Sequence, residues 1–123
     1  MTYANNDSKS NKNYNITFSD KNASAPSARI DNLYYDLDKG TIKVTVVIDD
    51  AVPGKHYKVK VTPKSQVKGT VVEGSLYLDI WVDNDKYARS TKGEVVFHCY
   101  SGDASNAPYC RAYDFDATIV KIL

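Results

Sequence analysis

The chain has 123 residues, enough for one domain with its own hydrophobic core. Hydrophobic residues make up 42% of it and charged residues 25%, which is typical of a globular protein. The 16 basic and 15 acidic residues leave a net charge of +1, which argues against nonspecific binding to nucleic acid. No apolar run reaches the roughly 20 residues of a membrane-spanning helix, so we expect no membrane insertion.

Residues 1–27 are a polar segment rich in Asn, Ser and Lys, interrupted by Ile16 and Phe18. Such a composition buries too little apolar surface to offset the entropy lost on ordering. We therefore predict a flexible N-terminal tail or linker. The alternative is a short edge strand through Ile16 and Phe18 that docks on the folded domain.

From Ala28 onward, apolar and polar residues alternate with a period of two, which indicates β-strands with one buried face. The clearest pattern is a hairpin, in which residues 28–37 and 42–48 flank the turn Asp38-Lys39-Gly40. Further strands are predicted over residues 56–62, 69–73, 75–83, 94–100 and 109–122, the last with a bend near Tyr113-Asp114.

These strands are about seven in number, short and joined by turn signals, a pattern that favours an antiparallel sandwich or barrel. Residues 28–123 are therefore predicted to form one all-β domain, an immunoglobulin-like or fibronectin-like β-sandwich. The Cys…Trp…Cys spacing of antibody domains is absent. The pattern thus predicts an architecture and no particular family.

The segment Ser75–Asp83 has the strongest alternation in the chain. One face holds only aliphatic residues, namely Leu76, Leu78, Ile80 and Val82. The other face holds a candidate binding surface of Tyr77, Asp79, Trp81 and Asp83. Its two rings would lie about 13 Å apart with a carboxylate between them, which suits a sugar chain or a protein loop. The alternative is that the tail, a loop or a neighbouring subunit covers this face.

Cys99 and Cys110 lie at the two ends of the loop that joins the last two predicted strands. In a hairpin such positions can face each other within disulfide reach, and the bond would contribute roughly 3 kcal/mol. We therefore predict a Cys99–Cys110 disulfide and an oxidising compartment. The alternative is two unpaired buried thiols in a cytosolic protein.

Other candidates for chemistry have simpler interpretations. His56 and His98 fall on predicted strands, and no nucleophile elbow is present, so we expect no catalytic residue. The paired carboxylates Asp49-Asp50 and Asp83/Asp85 lie in turns, where Asp bonds to nearby backbone, so we expect no metal and no cofactor. The lysines near the third strand are interpreted as a solvated, edge-protecting face: Lys55, Lys58, Lys60 and Lys64.

We therefore expect a secreted or cell-surface, non-catalytic binding or adhesion module with a protein or carbohydrate ligand. One alternative is a carrier of lipid or another small ligand, with an apolar cavity between the two sheets. Others are a small secreted effector and, least favoured, a small hydrolase. An exposed Tyr77/Trp81 pair would favour the binding module, and a cavity between the sheets would favour the carrier. A histidine bonded to Ser or Asp in a cleft would favour the hydrolase.

Overall fold

A computed structural model of the chain describes residues 25–100 and 110–123. These described residues are all-β apart from one 3-10 turn at Ala112–Asp114. Its strands are β1 (Ser27–Asp36), β2 (Thr41–Asp49), β3 (His56–Pro63), β4 (Leu76–Trp81), β5 (Lys92–His98) and β6 (Phe115–Ile122). Within these residues no helix is long and apolar enough to cross a membrane. The predicted tail, up to residue 24, lies outside the described residues.

The strands form two antiparallel sheets of three strands each. The first sheet has the order β1-β2-β5 and the second β4-β3-β6. The hairpins β1/β2 and β3/β4 each stay within one sheet, whereas the connections β2–β3, β4–β5 and β5–β6 pass between the sheets. The predicted all-β architecture of antiparallel sheets is confirmed.

Two predicted strands differ from the structure. Residues 69–73 are not a strand, and only Val71 in this segment forms a bridge, with Cys99. The reason is local, because the Thr70 and Val71 amides both donate to the carbonyl of Val67, which closes a turn. The described residues therefore form six strands and not seven.

The last strand is shorter than predicted, because β6 starts at Phe115 after the 3-10 turn. The predicted bend near Tyr113-Asp114 falls on that turn. The buried carboxylate of Asp114 accepts the Arg111 amide at 2.7 Å and the Gln66 side-chain amide at 3.0 Å. These bonds compensate the burial of the charge and fix the direction in which β6 begins.

The core lies between the sheets and follows the predicted alternation. Its centre is formed by fully buried residues of β2, β3 and β5, namely Ile42, Val44, Val46, Tyr57, Val59, Val61 and Phe97. Each such side chain contributes roughly 1.5–3 kcal/mol through its removal from water. The ring of Phe97 packs on that of Phe115 at 5.1 Å, which joins the two sheets. The hydroxyl of the buried Tyr57 accepts a hydrogen bond from the Val52 amide at 2.8 Å, which gives this polar group a partner within the protein.

Candidate binding face on the second sheet

Strand β4 divides its residues between two faces as the alternation predicted. Leu78, Ile80 and the following Val82 are buried in the core. Tyr77 and Trp81 point the other way, with 55% and 71% of their surface exposed. The predicted orientation of Trp81 away from the core is therefore confirmed, and its role in binding stays a prediction.

The strand register shows which side chains share this outer face. Trp81 lies opposite His56, Asp79 opposite Lys58, and Tyr77 opposite Lys60. On the other side of β3, Lys58 lies opposite Lys121 and Lys60 opposite Thr118. We use "outer platform" for the set His56, Lys58, Lys60, Tyr77, Asp79, Trp81 and Lys121. It extends over all three strands of the second sheet.

The indole of Trp81 is held in place by a neighbouring ring. The His56 imidazole stacks on it with centroids 3.7 Å apart and planes 14° apart. The same imidazole is fixed by its Nε2 atom, which lies 2.8 Å from Oδ1 of Asp79. His56 thus covers part of the indole and orients it while most of the ring stays in water. A ring oriented before binding loses less conformational entropy when a ligand arrives.

Tyr77 lies at the other end of the outer platform. The Lys58 ammonium lies 5.8 Å from the centroid of its ring, within the range of a cation–π contact. Tyr77 and Trp81 are four residues apart on one strand, so their Cα atoms are separated by about 13 Å. Asp79 and Lys58 occupy the space between the rings. The platform is thus two rings separated by a negative and a positive group.

Asp83 belongs to a turn rather than to the outer platform. It follows β4, and its Oδ1 accepts the Asp85 amide at 2.8 Å. The Arg89 guanidinium donates to its carbonyl oxygen at 3.0 Å, which fixes the turn further. Of the four predicted binding residues, the structure brings together Tyr77, Asp79 and Trp81 and gives Asp83 a structural bond of its own.

The lysines that the sequence places near the third strand have different surroundings. Strand β3 is central in the second sheet, so the prediction that these lysines protect a sheet edge is wrong for Lys58 and Lys60. Both lie in the middle of the outer platform. Lys64 instead forms an ion pair with Asp116 at 3.6 Å. Alternation alone predicts only an outward direction for these two lysines. The strand register was needed to place Lys58 between the two aromatic rings and Lys60 beside Tyr77.

The ionisable groups of the outer platform include one bonded pair, His56 with Asp79, whose carboxylate side chain is 52% exposed. Within the described residues, the only hydrogen bond of the His56 ring is to Asp79, so no hydroxyl or thiol nucleophile is bonded to it. Across residues 25–100 and 110–123, no group of three His, Cys, Asp or Glu side chains could hold a metal ion. What the outer platform offers chemically is stacking, charge and hydrogen bonding.

The outer surface of the first sheet carries a groove of about 340 Å³, which includes Tyr34, Lys43, Val96 and His98 in its lining. Two of its charged or titratable side chains, Lys43 and His98, have partners within the protein. The Lys43 ammonium lies 5.5 Å above the Tyr34 ring and 3.9 Å from Glu94. His98 Nδ1 lies 2.8 Å from Glu73. These contacts leave the groove with less unpaired charge than the outer platform.

The two cysteines do not lie across a hairpin. β5 belongs to the first sheet and β6 to the second, so the hairpin premise of the disulfide prediction is wrong. No disulfide joins Cys99 and Cys110 in the structure. Burial raises the pKa of the Cys110 thiol, and the charges of Asp114 and Cys99 raise it further, which places the two cysteines in one neighbourhood. A thiol with a raised pKa is a poor nucleophile at neutral pH, so it forms disulfides slowly.

In comparisons with protein-family models, curated proteins and solved structures, nothing matches this chain. Its function is therefore inferred from the geometry and chemistry of its own residues.

Proposed function

We propose that the protein is a non-catalytic saccharide-binding module whose ligand lies along β4 on the outer platform. The observation that carries the proposal is Trp81, an indole that is 71% exposed yet held by the stacked His56 ring. An exposed aromatic ring on a regular strand leaves apolar surface in water, and such surface often marks an interaction site.

The chemistry of a sugar ring complements this arrangement. A pyranose has a face of C–H groups that stacks on an aromatic ring and an edge of hydroxyls that needs donors and acceptors. Tyr77 and Trp81 supply two rings along one straight strand, about 13 Å apart. Asp79 supplies acceptors and Lys58 donors between them. A chain of several sugar rings can therefore contact both aromatic residues at once.

The composition of the outer platform favours a saccharide over a protein ligand. Protein–protein interfaces are depleted of lysine and aspartate at their centre. Here Lys58 and Asp79 lie between the two aromatic rings, and Lys60 lies beside Tyr77. Charged and hydrogen-bonding groups at the centre suit a ligand covered with hydroxyl groups.

The carrier hypothesis has less support. The space between the sheets is occupied by a cluster of buried apolar side chains from β2 to β6 and the connecting segments, and partly buried side chains, among them those of β1, pack against it. A carrier needs room for its ligand in that same layer.

A glycan array probed with the full chain tests the proposal. Trp81→Ala and Tyr77→Ala should each weaken binding to the hits by roughly thirtyfold, the loss expected for a hot-spot aromatic worth about 2 kcal/mol. Tyr34→Ala, on the outer face of the first sheet, is the matched control and should leave binding unchanged. Equal binding by Trp81→Ala and the wild type, with both folded, would overturn the proposal.

We also propose that the module acts outside the cell or on its surface, where polysaccharides are exposed. The polar composition of residues 1–27 supports a linker that would hold the domain away from its attachment point. Antibody labelling of intact, non-permeabilised cells tests this location. Labelling only after permeabilisation would contradict it.

We further propose that the sandwich has immunoglobulin-like topology. Strand order β1-β2-β5 against β4-β3-β6 corresponds to strands A, B and E of that fold facing strands C′, C and F. Nuclear Overhauser contacts between β2 and β5, and between β3 and β6, would support this order. Contacts between β5 and β6 as hairpin partners would contradict it.

A further inference from the structure

We infer that the saccharide held by the outer platform is anionic, carrying carboxylate or sulfate groups. This inference depends on the proposed function and adds the class of ligand. It is carried by three lysines, Lys58, Lys60 and Lys121, which lie together on the outer face of β3 and β6.

The strand register places these cations close together. Lys58 and Lys121 are directly opposed on neighbouring antiparallel strands, where Cα atoms lie roughly 4.5–5.5 Å apart. Lys60 is two residues along β3 and points to the same face, about 7 Å further on. The cluster thus presents three positive groups within one small area of the sheet, next to the register shift between Lys58 and Val59.

The three lysines form no ion pair with the part of the chain that the structure describes. Other lysines do form such pairs, since Lys43 contacts Glu94, Lys64 contacts Asp116 and Lys92 contacts Asp31. The only carboxylate of the outer platform, that of Asp79, is engaged by His56 at 2.8 Å. The outer platform thus places three ammonium groups beside the single carboxylate of Asp79, which leaves a net positive charge.

Like charges placed directly opposite each other on neighbouring strands destabilise a sheet. An anionic ligand would remove this repulsion between Lys58 and Lys121 as it binds. Lysine ammonium groups on flexible stems can follow a carboxylate or a sulfate as point-charge donors. The rings of Tyr77 and Trp81 lie on the neighbouring strand β4, so a sugar chain stacked on them would run beside the lysines and could direct its acidic groups toward them.

Matched pairs of polysaccharides test the charge requirement. The full chain is measured against polygalacturonate and its methyl ester, and against dextran sulfate and unmodified dextran. We expect at least tenfold tighter binding to the charged member of one or both pairs, and weaker binding as salt concentration rises. The carboxylate and sulfate pairs distinguish the two sources of negative charge. The inference would be overturned if the charged and uncharged members of both pairs bound equally well, or if neither charged polysaccharide bound.

Substitutions then locate the charge on the protein. The triple variant Lys58→Gln, Lys60→Gln, Lys121→Gln should lose about tenfold in affinity, since each exposed charge contact contributes a few-fold. The same three positions changed to Arg should retain binding, because the positive charges remain.

A control variant with Lys39, Lys43 and Lys92 changed to Gln has the same net charge but alters the first sheet. It should bind like the wild type, and an equal loss would show unspecific charge attraction and overturn the inference. A third outcome is that neutral saccharides bind, that Trp81→Ala abolishes this binding and that the lysine substitutions do not affect it. That outcome would overturn the inference of an anionic ligand and leave the proposed function intact. Poly-L-glutamate bound as tightly as the acidic saccharides would show a preference for acidic peptide and would overturn both.

Discussion

Replacement of Trp81 by alanine should cost far less stability than replacement of a core aromatic. The indole is 71% exposed, so about three tenths of its surface is covered. A Trp side chain offers at most about 250 Å², which leaves about 70 Å² buried and about 2 kcal/mol at 25 cal/mol per Å². Much of that area faces the stacked ring of His56, 3.7 Å away.

The comparison variant is Phe97→Ala, because Phe97 has 0% exposure and packs on Phe115. Truncation of such a residue costs roughly 3–5 kcal/mol. Urea unfolding followed by circular dichroism gives both free energies of unfolding. We expect Trp81→Ala to lose 2 kcal/mol or less, about half of the loss in Phe97→Ala or below.

A double-mutant cycle with His56→Ala isolates the ring stack. The coupling free energy should be about 0.5–1.5 kcal/mol, as for other stacked ring pairs. If Trp81→Ala lost as much stability as Phe97→Ala, the ring would be part of the packed interior, and the reasoning that makes it a binding surface would be refuted.

Three further comparisons test the rest of the structure. Leu78→Ala should lose roughly 2–5 kcal/mol and Lys58→Ala less than about 0.5 kcal/mol, and comparable urea midpoints would reverse the face assignment. Gly93→Ala would place its new Cβ 2.7 Å from Cδ1 of Leu78, so we expect a loss of about 1–3 kcal/mol that Leu78→Ala partly relieves in the double variant. Burial raises the pKa of Glu73, but hydrogen bonds from His98 outweigh it and hold that pKa below its usual value. Its stabilising contribution is therefore present above about pH 4.5 and is lost as pH falls through the native pKa, so thermal melts of Glu73→Gln should depend less on pH in that acidic range.

Periodicity in the sequence was sufficient for most of the strands and for the two faces of β4. Because successive side chains of a strand point to opposite sides, the alternation around Leu78 and Trp81 predicts which of them enters the core. Gly40 in the first hairpin has a φ of 63°, the left-handed conformation that the turn Asp38-Lys39-Gly40 predicted. These features depend on residues close together in the chain, and so local pattern is enough to predict them.

The sequence pattern gave a wrong prediction where the backbone amides could bond either within a turn or to a neighbouring strand. Residues 69–73 contain Val71 and Val72, which favour a strand, but the amides of Thr70 and Val71 bond back to Val67. The choice between a turn and a ladder depends on which partner strand is within reach, and that is decided by the folded structure.

Tertiary structure alone decided how the strands meet. It assigned β5 and β6 to different sheets, which removed the hairpin expected between Cys99 and Cys110. It also made β3 a central strand, so that His56 came to stack on Trp81 and Lys58 came to face Lys121. Strand order and register come from contacts between distant segments, whose free energy depends on how both sheets pack together. The sequence therefore predicted an indole that points away from the core, and the fold supplied the histidine and the lysines near it.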